Sequence, residues 1–155
     1  MVKSEFLELM GDVARTIGER PLDPLLAKFL NATYPVDGPW FTRLARLCAE
    51  GERDGWLMKH EAGGIRFGRA IKPGDAAGAF SVDVVRMQDV KGPHHIHTTG
   101  EIGAVMAIDG QPRFDDWPPG WYVYPPGSDH HPTVKGGAAY VLYLLPGGEI
   151  EFTGR

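Results

Sequence analysis

The chain has 155 residues, of which 43% are hydrophobic and 23% charged, and a formal net charge of −4. That balance describes one ordinary globular domain with a sizeable core. It excludes a nucleic-acid binder, because no basic run or stripe is present. No stretch approaches ~18 apolar residues, and the opening residues carry no apolar signal core, so no membrane association is expected. The single cysteine, Cys48, has no partner for an internal disulfide and lies in a helical apolar pattern, which fits a reducing, cytoplasmic setting.

The first third of the chain reads as helical. Phe6, Leu7, Met10, Val13, Ala14 and Ile17 make one apolar stripe at helical spacing, with Ser4 as a capping candidate and Gly18 and Pro21 as stops. Asp23 followed by Pro24 starts a second helix, with Leu25, Leu26, Phe29 and Leu30 on its apolar positions and Pro35 ending it. Gly38-Pro39 opens a third, marked by Trp40, Phe41, Leu44, Leu47 and Cys48 and ending near Gly51.

At Gly55 the period changes from helical to alternating. Trp56–Met58 and Gly64–Arg69 read as short strands between glycine turns, and Lys72–Gly78 as a loop. Phe80–Met87 is a stronger strand, rich in β-branched residues. Along Glu101–Ile108, Glu101, Gly103, Val105 and Ala107 share one face; Ile102, Ala104, Met106 and Ile108 share the other. If Glu101 faces inward, the opposite face is continuously apolar and needs cover, from the helices or from a second subunit. A homodimer is predicted on that basis. Asp109-Gly110 is a hairpin signal, and Trp121–Tyr124 a strand. Tyr140–Leu145 is apolar on both faces, which places it centrally, and Gly147-Gly148 turns it into Glu149–Phe152. The high counts of glycine (21) and proline (13) suit many short strands joined by tight turns.

The chemistry concentrates in Gly92–Glu101, where three of the six histidines fall within four residues. Strand alternation sends His95 and His97 to one face and His94 to the other. A Thr98–Gly100 turn can swing Glu101 onto the same side. Two imidazoles and a carboxylate then converge, a ligand set that suits zinc or non-haem iron. A fourth candidate, His130, follows the sharp Pro125-Pro126-Gly127 turn. Histidine clusters also arise as surface runs. Here five of six histidines fall in two short clusters at turn–strand junctions, which argues against accident. His94 and His131 read as supporting or rim groups.

His-x-His-x3-Glu paired with a later Pro-x-Gly-x2-His resembles the two motifs of the cupin superfamily. Gly92 and Gly120 roughly match the glycines that open the motifs. Val134 stands where the second motif often ends in Asn, and Gly110 comes late for the first. The resemblance implies a mainly β fold: a double-sheet jelly-roll barrel over residues 54–155, with an α-helical N-terminal extension over 1–53, in one compact unit. It implies metal ligands at His95, His97, Glu101 and His130 and a divalent ion, with Fe, Mn, Ni and Zn all compatible. No Gly-x-Gly-x2-Gly fingerprint is present, so no nicotinamide or flavin is expected. Trp117, Trp121, Tyr122 and Tyr124 lie near the second motif, and either pack the barrel or line its mouth for a flat aromatic substrate. Arg66 and Arg86 interrupt apolar strands. Each either pairs with a carboxylate such as Asp83 or Glu61, or holds a substrate carboxylate.

A closer resemblance runs through Arg20–Asp23, Gly55–Leu57, Glu61–Arg69, Phe80–Val85, Gly92–His95, Gly100–Ile102 and Tyr143–Gly148. Together these stretches are similar to bacterial 4-hydroxylaminobenzoate lyases of nitrobenzoate breakdown. That resemblance implies a carbon–nitrogen lyase forming 3,4-dihydroxybenzoate and ammonium from a small aromatic carboxylate. Glu101 is then the expected acid/base, and Arg66, Arg86 and Tyr124 the expected substrate contacts. The rivals are a metal-dependent cupin dioxygenase or other oxidoreductase, and a non-catalytic small-molecule-binding cupin. A sugar isomerase is weaker, because the expected mouth is aromatic and proline-rich.

Overall fold

The computed structural model describes residues 2–155. Three helices come first: α1 (Val2–Ile17), α2 (Pro24–Thr33) and α3 (Pro39–Asp54). Nine strands follow among the described residues. They are β1 (His60–Ala62), β2 (Ile65–Ile71), β3 (Phe80–Lys91), β4 (His95–His97), β5 (Glu101–Phe114), β6 (Gly120–Tyr124), β7 (Ser128–His130), β8 (Thr133–Pro146) and β9 (Glu151–Phe152). No helix among the described residues is long and apolar enough to cross a membrane.

The caps of α2 follow the sequence. The Asp23 carboxylate accepts from the Leu26 N–H at 3.0 Å, and Pro24 takes the first helical position. Helix α3 runs past Gly51 to a left-handed cap at Gly55. Gly51 is buried inside the helix because the next segment folds back onto it. A Cβ there would lie 2.8 Å from the Trp56 ring. Trp56–Met58 is therefore not the short strand that its place between glycine turns suggested; Leu57 and Met58 are buried in the core against the helices.

The strands form a double-sheet barrel. A six-stranded antiparallel sheet has the order β1-β2-β3-β8-β5-β6, and a three-stranded sheet the order β7-β4-β9. Strand β8 is central, as its two apolar faces require. The large sheet separates two cores. On one face Ile102, Ala104 and Met106 of β5 and Val82 and Val84 of β3 pack with Phe6, Leu30 and Leu44 of the helices. On the other, Val85, Met87, Val105, Tyr122 and Val141 fill the barrel interior. The apolar stripe of β5, which suggested a second subunit, is thus covered by the chain's own helices.

Asp109-Gly110 does not close a hairpin. Strand β5 continues to Phe114 against β8, with register shifts on either side of this dipeptide. A two-residue hairpin turn of the Asn-Gly type needs positive φ at both central residues. Here only Gly110 has it (φ 72°), and the pair forms a bulge in a continuing strand.

Candidate metal centre

Strand β4 sets the site by simple alternation. Its outer residues His95 and His97 are buried and aim one way, while Ile96 faces the other. In register, His95 pairs with His130 of β7. The 97–100 turn closes with Gly100 N–H donating to the His97 carbonyl at 3.1 Å, and β5 then starts at Glu101. The four residues singled out in the sequence come together. Their nearest donor atoms all lie within 4.8 Å of one another.

The nitrogens form a close triangle. His95 Nε2 and His97 Nε2 are 3.0 Å apart, His97 and His130 3.0 Å, and His130 and His95 2.9 Å. Glu101 Oε1 is 3.0 Å from His97 Nε2. Such a set suits a shared cation. With ligands about 2.1 Å from an ion, adjacent donors stand about 3.0 Å apart on an octahedron and about 3.4 Å on a tetrahedron. Edges of 2.9 to 3.0 Å are short enough for these four residues to hold one ion together.

Electrostatics agree. Burial, reinforced by the neighbouring His130 and His97, pushes His95 down to about 4, so its imidazole is neutral with a lone pair to give. Glu101 is 2% exposed; its carboxylate adjoins the buried Tyr122 phenol, but its Oε2 makes no hydrogen bond of full geometry. A buried, unsatisfied carboxylate oxygen is costly unless a cation or ligand meets it. The donor set therefore fits a divalent ion.

His130 is held from behind by a residue that sequence reasoning passed over. Asp115 Oδ2 accepts from His130 Nδ1 and from the Tyr124 hydroxyl, the latter at 2.8 Å. Its Oδ1 accepts from the Thr133 N–H at 2.9 Å. A carboxylate behind a ligating imidazole fixes which nitrogen faces the metal. The sequence showed Asp115 only as a loop residue, fifteen positions from its partner. The one hint was two adjacent aspartates, the residue type that best tolerates the positive φ both adopt.

The other expected site residues divide. Tyr124 supports Asp115; Trp117 Nε1–H donates to its hydroxyl at 3.1 Å. Trp121 faces the helices, packed against Trp40 and Phe41. Tyr122 lies in the barrel core beneath Gly103, where a Cβ would fall 2.0 Å from its ring. None of these aromatics lines the apolar cavity beside the cluster; Tyr124 borders a separate, polar pocket with His130 and Asp115. Arg66 and Arg86 are not brought to the site either. Ile65, Phe67, Val85 and Met87 take the cavity face of β2 and β3, so the arginines between them point to the helical side. There Glu52 of α3 pairs with Arg86 at 2.9 Å and with Arg66 at 3.8 Å, while the Tyr140 hydroxyl donates to it at 2.8 Å. Asp83 is taken by Arg69 instead, at 3.0 and 3.3 Å. His94 binds Thr153 and Asp129 at 2.6 and 2.7 Å, and His131 the Gly92 carbonyl at 3.2 Å.

The triangle opens on a cavity of about 380 Å³. Its walls are apolar, with Ile65, Phe67, Val85 and Phe114 prominent; His95, Glu101, His130 and Tyr143 contribute polar groups. Burial, with the nearby charges of Asp83 and Glu101, pushes the Tyr143 phenol well up, so it stays an O–H donor. A cavity of this size with few polar groups takes one small, largely apolar molecule.

Comparison with known proteins places the sequence in a family. The 4-hydroxylaminobenzoate lyase family (PnbB) matches residues 8–152. A 4-hydroxylaminobenzoate lyase of Nocardioides sp. (strain LMS-CY) is 34% identical over 149 residues, covering 89% of this chain and 84% of its own. One from Pseudomonas putida is 26% identical over 167 residues, covering 97% and 95%. Among solved structures, an RmlC-like cupin from Ralstonia eutropha aligns with a TM-score of 0.45 at 12% identity, over 59% of this chain and 60% of its own. The family match over residues 8–152 and the relative of 34% identity place the sequence: the chain is a member of the 4-hydroxylaminobenzoate lyase family.

Proposed function

We propose that this chain converts 4-hydroxylaminobenzoate to 3,4-dihydroxybenzoate and ammonium in the barrel cavity. The observation that carries the reading is the convergence of His95, His97, Glu101 and His130 at an apolar cavity sized for one ring. The overall change adds one water and releases one ammonia, so neither an oxidant nor a reductant is consumed. A divalent ion held by the four residues supplies Lewis acidity.

The remaining work falls to the chain's own groups. Protonation of the hydroxylamino oxygen lets it leave as water. A second water adds to the neighbouring ring carbon. Hydrolysis of the resulting imine, with a third water, releases ammonia, and loss of the ring proton gives the catechol. Glu101 Oε2, buried and unpaired, is the proposed proton carrier. Tyr143, kept protonated, supplies a neutral hydrogen-bond donor within the cavity. The apolar walls exclude bulk water and strengthen each of these interactions.

Anaerobic incubation with 4-hydroxylaminobenzoate, following both products with and without chelator, tests the proposal. Product that is lost on chelation and restored by one divalent metal supports it in full. Product that survives chelation keeps the lyase reaction and removes the metal from it. No product from the metal-loaded protein overturns the reading, and oxygen uptake with small aromatics would then point to an oxygenase.

A further inference from the structure

A carboxylate entering an apolar cavity loses its water and needs a cation in exchange. The sequence offered Arg66 and Arg86 for that purpose, but both are drawn to Glu52 on the far side of the sheet, and neither lines the cavity. Arg69 is neutralised by Asp83. Among the described residues that line the cavity, one lysine or arginine remains: Lys91, the last residue of β3.

Lys91 differs from the arginines in two respects. It is exposed, and its ammonium makes no ion pair or hydrogen bond among the described residues. An unpaired lysine on an open surface would be ordinary. Lys91 instead stands at the rim of a cavity whose other lining side chains carry no positive charge unless a histidine is protonated. Its base is fixed. Lys91 pairs in register with Thr133, and the next residue, Gly92, donates its N–H to the Pro132 carbonyl at 2.6 Å. Gly92 and Pro132 are so close that a Cβ on Gly92 would lie 2.9 Å from the proline ring. From that anchored backbone, the four-carbon stem can follow the apolar wall and present its ammonium at the opening.

We propose that Lys91 is the specificity-determining cation of the site, pairing with the ring carboxylate while the para substituent reaches His95, His97, Glu101 and His130. The proposal rests on the reading of the cavity as an aromatic-carboxylate site. Lys91 acts on substrate binding and orientation, and the proton chemistry stays at the other end of the ring.

The test compares the wild type, Lys91→Met and Lys91→Arg in the metal-loaded protein. Turnover is measured with 4-hydroxylaminobenzoate and with uncharged N-phenylhydroxylamine. Binding of 4-aminobenzoate and of aniline is measured by calorimetry. A charge-assisted hydrogen bond at a partly dry site corresponds to roughly 10- to 100-fold in affinity. Lys91→Met is expected to raise KM for the acid and Kd for 4-aminobenzoate by about that factor. Its kcat should stay within a few-fold, and the uncharged compounds should be unaffected. Lys91→Arg should recover most of the loss. Equal binding of 4-aminobenzoate by wild type and Lys91→Met overturns the proposal, as does a wild type that binds 4-aminobenzoate no tighter than aniline. A wild type that binds 4-aminobenzoate through Lys91 but does not turn over the hydroxylamine sinks the reaction and leaves Lys91 standing.

Discussion

Asp115 grips His130 by its Nδ1, and so turns its Nε2 to within 2.9 Å of His95 and 3.0 Å of His97. The third corner of the triangle depends on a loop residue that touches no metal position itself. Replacing Asp115 with Asn keeps a residue that tolerates the positive φ of this position, but removes the charge behind the imidazole. Asp115→Asn is expected to weaken metal binding by about 10- to 100-fold. Competition with a chromophoric chelator reads this directly. An unchanged metal affinity would show that His130 is oriented by packing alone.

Glu101 has one oxygen on the cluster and one without a partner. Glu101→Gln keeps the shape and removes the exchangeable proton. Turnover should fall by about 10²-fold or more, the usual range for losing a positioned acid or base. The melting curve of the metal-free variant should not drop, since no buried charge is lost without compensation. Turnover within a few-fold of wild type would remove Glu101 from the proton path.

Glu52 joins the helices to the barrel through Arg86, Arg66 and Tyr140. Glu52→Ala leaves Arg86 and the Tyr140 phenol without their common acceptor and Arg66 without its nearby carboxylate. A stability loss of about 1–3 kcal/mol is expected from chemical denaturation. In Arg86→Gln, KM for the aromatic acid should not change. A KM rise in that variant, at unaltered stability, would return Arg86 to substrate binding.

Much of the site could be read from the chain. The alternation of His95 and His97, the turn that returns Glu101, and the emergence of His130 after Pro125-Pro126-Gly127 all rest on local geometry. So did the Asp23–Pro24 helix start and the central place of β8. What escaped depended on contacts remote in sequence. Phe80–Met87 is apolar enough on both faces that alternation could not decide which side takes the helices. That ambiguity left the arginines open between a carboxylate such as Asp83 or Glu61 and the cavity; their partner is Glu52. Asp109-Gly110 carried the right residues for a hairpin, yet the long pairing of β5 with β8 absorbed it as a bulge. Trp56–Met58 read as a short apolar strand between glycine turns, but Gly51 offered a bare helix surface on which Trp56 and Leu57 could settle.

His95 makes the metal-free protein acid-sensitive in a defined window. Its imidazole faces His97, His130 and Glu101, and burial together with the two imidazoles holds it at about 4, against an ordinary 6.5. Between those values the unfolded chain takes up a proton that the folded protein refuses. Stability must therefore rise with pH through this range and be lost as pH falls from 6.5 towards 4, with no contribution from His95 above it. Urea denaturation of chelator-treated protein at successive pH values should show that slope. His95→Gln should flatten it, because the substituted side chain does not titrate. Bound metal should steepen the wild-type slope, since every ligand must be deprotonated to hold it. A slope in His95→Gln equal to that of the wild type would place the acid sensitivity elsewhere, and not at Asp83, whose raised carboxyl favours the protonated form in the folded protein and gives a slope of the opposite sign.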